Sequence, residues 1–265
     1  MPSIGRVKIS QLLEHFTTLA SAWDAPAAEL KRAGLDSKSI TAIVSLRPRI
    51  IPDAEIDNLN KYKVKAIPCN SPDYPQRLKE IHDYPPLLYV RGTIMPEDEC
   101  SVAVVGTRRA TAYGRQVTEE IVTDLSKNKI TIVSGLAKGI DSIAHRAALD
   151  AGGRTIAIFA SGLDTVYPAE NVRLAREIID HGALISEYPL GTRPKADNFP
   201  RRNRILSGMS LGVLVVEAGE KSGALITVEQ ALQQNREVFA IPGSILSPTS
   251  RGTNNLLQQG AKLVR

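Results

Sequence analysis

Between Arg193 and Arg204 the sequence reads RPKADNFPRRNR, in which Arg193, Lys195, Arg201, Arg202 and Arg204 stand against one acid, Asp197, around a single aromatic, Phe199. Five cations against one acid make a net +4 of the +5 carried by the whole chain, so the excess charge is local. Arginine forks match phosphate oxygens two at a time, and an aromatic face among them stacks a base. A solvated charged loop is the competing account of such a run. The turns elsewhere in the chain separate the two.

Three further segments pair glycine turns with charge. In VAVVGTRRATAYG, Gly106 follows an apolar run, then come Thr107, Arg108 and Arg109, with Gly114 opening the next helix. A glycine turn lets backbone approach a phosphate and a helix start offers unpaired N–H groups, so this is a phosphate cradle with a cationic lip. In IVSGLAKGID, Ser134, Gly135, Lys138 and Gly139 form a second anion nest, with Asp141 or Ser142 placed to cap the helix. In VVEAGEKSGALITVEQA, Glu217 ends an apolar run and Gly223 and Thr227 leave room for a ligand to come close.

The same segments exclude common chemistries. GTRRATAYG lacks the glycines of GxGxxG, SGLAKGID lacks the Gly-Lys-Ser/Thr ending of a P-loop, and no GxSxG elbow surrounds Ser134. His145 lies one helical turn beyond Asp141, a pair read as structural or capping because no activated nucleophile accompanies it. Glu217 is the one carboxylate placed near these turns, and its expected role is to orient Arg204 or a backbone N–H.

The elements that must position these turns follow from the apolar pattern. From Ser101 onward, apolar runs of strand length alternate with amphipathic helices, which predicts a parallel sheet covered on both faces. Strands are expected at 102–105, 130–133, 155–159, 183–185, 211–216 and 237–240, and helices at 113–127, 142–150, 169–181, 202–207 and 224–234. The charged segments then fall at the carboxyl ends of strands, where open sheets bind ligands. Five prolines between Val64 and Gly92 mark an extended connector with one strand, 87–90. From Ile9 to about Leu59 the sequence has helical spacing, with Leu12, Leu13, Phe16, Leu19 and Trp23 as one apolar series. Residues 1–62 are expected to form a small helical module of helix-hairpin-helix or sterile-alpha-motif type, or a packing or dimerisation appendage without its own ligand, ahead of a second domain over 63–265.

At 265 residues and 43% hydrophobic content the chain can bury a full core. A pI near 9.2 favours a polyanionic partner. Cys69 and Cys100 have no metal-ligand spacing, and no window has membrane-spanning length, which together lead to the expectation of a soluble cytoplasmic protein without membrane association or metal.

Taken together, GTRRATAYG, SGLAKGIDSIAHRAAL, the run from Ile158 through SGLDTVYP, FPRRNRILSG, VVEAGEKSGALITVEQAL and VFAIPG resemble the DNA-processing protein A family, DprA or Smf, continuously from about Ile67 to Val264. The resemblance implies an α/β fold, an extended Rossmann-like parallel sheet flanked by helices. It implies a cofactor-free, non-catalytic homodimer that binds single-stranded DNA and helps load the RecA recombinase in natural transformation. The family's turn residues correspond to Gly106, Thr107 and Arg108, with threonine where serine is common. Its Ser-Gly loop is intact as Ser134 to Asp141, and its basic segment corresponds to Phe199, Pro200, Arg202, Asn203 and Arg204, with Lys195 beside it. Many members continue into a winged-helix-like domain, whereas this sequence ends at Arg265.

The expected mechanism is a groove in which Arg108, Arg202, Arg204 and Lys195 track phosphates. Gly106, Gly135 and Gly139 would donate N–H groups and Phe199 would stack on a base. Two other classes compete. One is a LOG-type nucleoside monophosphate hydrolase, whose PGGxGTxxE loop would occupy the VVEAGEKSGALITVEQA region, here without the proline and double glycine but with Glu229 in the following helix. The other is a nucleotide-sensing Rossmann protein.

Overall fold

The computed structural model describes residues 4–265. They divide into two units, one running to Lys63 with Pro85–Leu87 added, the other comprising Val64–Tyr84 and Leu88–Arg265.

The first unit holds five short helices, α1 (Arg6–His15), α2 (Leu19–Asp24), α3 (Ala27–Arg32), α4 (Ser37–Leu46) and α5 (Pro52–Lys61). Leu12, Ala22, Ala25, Leu30, Ala33, Leu35 and Ile43 form its core. The apolar series expected over 12–23 does not form one face, because the chain breaks between α1 and α2, where Thr18 caps the second helix. Leu13 and Leu19 are consequently exposed. Asp36 caps α4 through the Ser39 N–H at 2.8 Å and holds Lys8 at 2.7 Å. That lysine hydrogen bond, with the Ser39 N–H, brings the Asp36 pKa down to about 2.

The second unit is built on a nine-stranded sheet. Its strands are β1 (Lys65–Pro68), β2 (Leu87–Gly92), β3 (Ser101–Val105), β4 (Thr131–Ser134), β5 (Thr155–Ile158), β6 (Gly182–Ser186), β7 (Gly212–Val215), β8 (Glu237–Ala240) and β9 (Lys262–Leu263). The spatial order is β1-β2-β6-β5-β4-β3-β7-β8-β9, with β2 antiparallel to β6 and every pair from β6 to β9 parallel. From the central β3 the chain winds outward through β4, β5 and β6, then returns to the other side of β3 as β7. The crevice beyond β3 and β7 is therefore the topological switch point, where a ligand site is expected.

Helices cover both faces, as the alternation of buried residues requires. Val104, Ile132 and Leu214 face α7 (Ala112–Lys127) and α8 (Ile140–Asp150). Their sequence neighbours Ala103, Val105, Val213 and Val215 face α11 (Ala224–Gln233) and α12 (Arg251–Gln258) instead. Beside them α10 (Asn198–Met209) packs Ile205, Leu206 and Met209 onto Val133, Ile156 and Ile158. The numbering is completed by α6 (Gln76–Lys79) and α9 (Val172–His181).

One boundary differs in a way that matters. The helix expected at 202–207 begins four residues earlier, at Asn198. Pro200 lies in its first turn, where the missing N–H removes no intrahelical bond and the fixed φ suits the helix. The Arg193–Arg204 segment is thus half loop and half helix. Phe199, Arg202, Asn203 and Leu206 gain helical spacing and share one face.

Candidate nucleic-acid interface

A groove of about 780 Å³ opens at the switch point. Gly106, Thr107, Arg108 and Arg109 from the β3 turn form one part of its wall, and Phe199, Arg202, Asn203 and Leu206 of α10 form another. Gly223, Ala224, Ile226 and Thr227 at the start of α11 close the opposite side. The Arg108 guanidinium sits 5.9 Å from the centroid of the Phe199 ring, within range of a cation–π contact. The Tyr167 ring lies 5.7 Å from the Phe199 ring, tilted by 58°. A cation and a second aromatic therefore both approach Phe199 in the groove lining.

The loops around the groove are tied together by Glu217, which follows β7. Its carboxylate accepts the Thr111 N–H at 2.9 Å, the Thr111 hydroxyl at 2.6 Å and the Thr249 hydroxyl at 3.2 Å. Its carbonyl accepts the Thr107 N–H at 2.7 Å. The backbone-orienting role expected of Glu217 is what it performs, while Arg204 is not among its partners.

Beneath the groove, Arg202 and Asp141 are buried together. The Arg202 guanidinium donates to the Ile158 carbonyl at the end of β5, and burial brings its pKa down to about 10 against the pull of Asp141. Asp141 accepts the N–H groups of Gly135 at 3.1 Å and Ala137 at 3.4 Å. Burial pushes its pKa up, opposed by Arg202 and these N–H groups. A Cβ at Gly135 would overlap the Arg202 guanidinium, so a larger residue there would have to displace it. Gly139 has φ +77°, and a Cβ there would overlap the Thr107 carbonyl oxygen. His145 does not pair with Asp141. Its Nδ1 meets the Thr155 hydroxyl at 2.7 Å, and that hydroxyl gives its own proton to the Ile132 carbonyl at 2.8 Å. The imidazole is fully buried, and desolvation with the nearby Arg202 charge drops its pKa to about 3, so it is neutral.

Comparison with known proteins decides the lineage. Residues 65–265 match the family model described as DNA recombination-mediator protein A. The chain belongs to that family. It is 46% identical over 203 residues to DNA processing protein DprA of Bacillus subtilis, covering 76% of this chain and 68% of that protein. It is 40% identical over 266 residues to protein Smf of Synechocystis, covering 98% and 67%. It thus spans about two thirds of the length of these curated relatives. The solved DprA from Streptococcus pneumoniae superposes with a TM-score of 0.85 at 39% identity, covering 97% of this chain and 89% of that one. A DprA structure from Helicobacter pylori, described for its single-stranded DNA binding mode, gives a TM-score of 0.69 at 32% identity, over 76% and 90%.

For a DprA-family chain the basic segment is less uniformly a DNA surface than its composition implies. Arg108, Arg109, Gly106, Thr107, Phe199, Arg202, Asn203 and Gly223 do come together in the groove, and Lys195 is exposed between the groove residues Pro194 and Ala196. Arg204 does not. It points away, in a two-point pair with Glu187 at 2.8 and 2.7 Å and with Asp83 at 2.9 Å, because it lies two residues past Arg202 on a helix and so on another face. Burial alone would lower its pKa, but the Glu187 bonds prevail and raise it.

The four residues expected to form the second nest, Ser134, Gly135, Lys138 and Gly139, are likewise not in the groove wall. Ser134 is fully buried and donates to the Val104 carbonyl at 2.6 Å. The Gly135 N–H is taken by Asp141, so it is not a free donor. Lys138 reaches Glu170 at 2.5 Å on an exposed flank, and Gly139 packs beneath the Thr107–Arg108 backbone, so neither lines the groove. The residues with no strong sequence signal are Tyr167 and Ile226. Tyr167 follows β5, whose loop SGLDTVYP has no basic residue to attract notice, and only the fold brings it to Phe199.

Proposed function

We propose that this chain binds single-stranded DNA in the switch-point groove, as a non-catalytic homodimer of the cytoplasm that protects incoming DNA and helps load a RecA-type recombinase. The observation that carries this reading is the cluster of Arg108 and Tyr167 around Phe199 in the groove lining. It offers phosphate-binding charge and stacking faces side by side, an arrangement that suits unpaired bases and tolerates any sequence. Family membership and the single-stranded DNA binding mode described for the H. pylori relative support it. A binding role fits the carboxylates better than hydrolysis does. Glu217 is committed to Thr111 and Thr249, and Glu229, which the hydrolase alternative needs, is exposed and outside the groove wall.

Titration with single- and double-stranded oligonucleotides at two salt concentrations, coupled to mass measurement in solution, tests partner and assembly together. Contacts from Arg108, Arg109 and Lys195 give a single-strand salt slope of about −2, at roughly −0.7 per phosphate. Arg108→Ala makes the slope shallower by about one such step. Equal affinity for duplex, or release of free base from a nucleoside monophosphate, refutes the reading.

A further inference from the structure

A second hollow, of about 520 Å³, lies on the face of α10 that carries Arg201 and Arg204. Pro200 and Ile226 line both this hollow and the groove, so the two adjoin at those side chains. Part of its wall is already committed, since Arg204 is held by Glu187 and Asp83. The rest is not. Arg201 is exposed and forms no ion pair among the described residues. Gln230, one turn beyond Ile226 on α11, makes no side-chain hydrogen bond among them either. The Tyr188 hydroxyl is buried, so this half-buried side chain offers the hollow its ring and not its hydroxyl. A cation without a counter-ion, an unpaired amide and an aromatic face match the phosphate, the edge and the face of one nucleotide. The charges of Arg201, Arg204, Asp83 and Glu187 cancel, so the hollow has no net pull on an anion from solution. A strand already held in the groove overcomes this, because it presents its next nucleotide at high effective concentration.

We propose that a strand leaving the groove passes over Pro200 and Ile226 and lays its next nucleotide in this hollow, with a phosphate on Arg201 and the base against Tyr188 within reach of Gln230. The hollow is then an extension subsite, filled only by strands long enough to cross from the groove. It divides the basic segment once more. Arg204 holds the scaffold, whereas its neighbour Arg201 meets the strand outside the switch point. This rests on the single-strand reading above and adds to it a second place of contact and a direction of exit.

The test uses oligothymidylates lengthened from about 4 to about 16 nucleotides, the span of common single-strand site sizes, titrated by fluorescence anisotropy at several salt concentrations. With wild-type protein the salt slope is expected to steepen by about 0.7, one phosphate contact, at the length that reaches the hollow. Arg201→Ala is expected to match wild type on shorter strands, to lack the step and to bind longer strands roughly two- to fivefold more weakly, the worth of an exposed ionic contact. Gln230→Ala is expected to weaken long-strand binding while keeping the step, because the amide carries no charge. Thymidine monophosphate, added at constant ionic strength, is expected to leave the step in place, and its loss there means a free-nucleotide site and overturns the strand assignment. A step that persists in Arg201→Ala, as bridging of two protomers by one strand would give, also overturns the proposal. If wild-type protein binds short strands with no step at any length, the extension alone fails. If it binds no strand at low salt, the single-strand reading fails first and this one with it.

Discussion

Arg204→Ala separates the structural from the DNA-facing half of the basic segment. The wild-type side chain is 13% exposed and grips Glu187, itself 19% exposed, through two bonds. Exposed ion pairs contribute under about 1 kcal/mol, and Asp83, at 58% exposure, belongs to that class. Glu187 does not, since truncation leaves a mostly buried carboxylate without its cation, a situation that costs about 3–5 kcal/mol. The remaining solvent access places the loss near the lower end, about 3 kcal/mol, or a melting point roughly 6–12 °C lower for a unit of this size. Urea unfolding followed by circular dichroism measures it. Oligothymidylate titration, done well below the transition, is expected to stay within about twofold of wild type. Glu187→Gln should recover part of the stability in the Arg204→Ala background, since it removes the stranded charge. If Arg204→Ala leaves stability unchanged but weakens single-strand binding and flattens its salt slope, the assignment of Arg204 to the scaffold is wrong.

Gly139→Ala forces a positive-φ position and a clash with the Thr107 carbonyl, so it is expected to cost more than about 2 kcal/mol in urea unfolding and to disturb the Arg108 turn. With ψ at −129° the position lies outside the left-handed helical region that Asn tolerates, so Gly139→Asn is expected to lose at least as much, and wild-type stability in either variant refutes the reasoning. His145, with its folded pKa near 3, is neutral where the unfolded chain's imidazole takes up a proton near 6.5. The unfolded state then binds the extra proton, so His145 makes the fold lose stability as pH falls below about 6.5, by up to about 1.4 kcal/mol per unit. His145→Gln is expected to flatten the stability profile between about pH 6.5 and 5, and an unchanged slope there refutes the buried neutral imidazole.

The parallel sheet was legible because strands buried on both faces read as short apolar runs, and 237–240 was placed as it stands. The start of α10 was not, since a proline in a helix's first turn and a proline ending a loop look alike in sequence. That ambiguity hid the division of labour among the arginines. Arg202 and Arg204 differ by two positions, which on a loop says little and on a helix sends one under the groove and the other to Glu187. Ser134 looked like a nest residue because its neighbours are glycines, but it still belongs to β4 and its hydroxyl is inside the sheet. Long-range partners of this kind, such as Tyr167 with Phe199, follow from topology and leave no local pattern.

The three bonds to the Glu217 carboxylate and the Thr107 bond to its carbonyl join the loops after β3, β7 and β8 into one frame. A mouth held this way has little chain entropy left to lose on capture. Strand uptake is then governed by encounter and not by loop closure. Its observed rate is expected to rise linearly with DNA concentration without reaching a plateau, and to fall steeply as salt screens the approach.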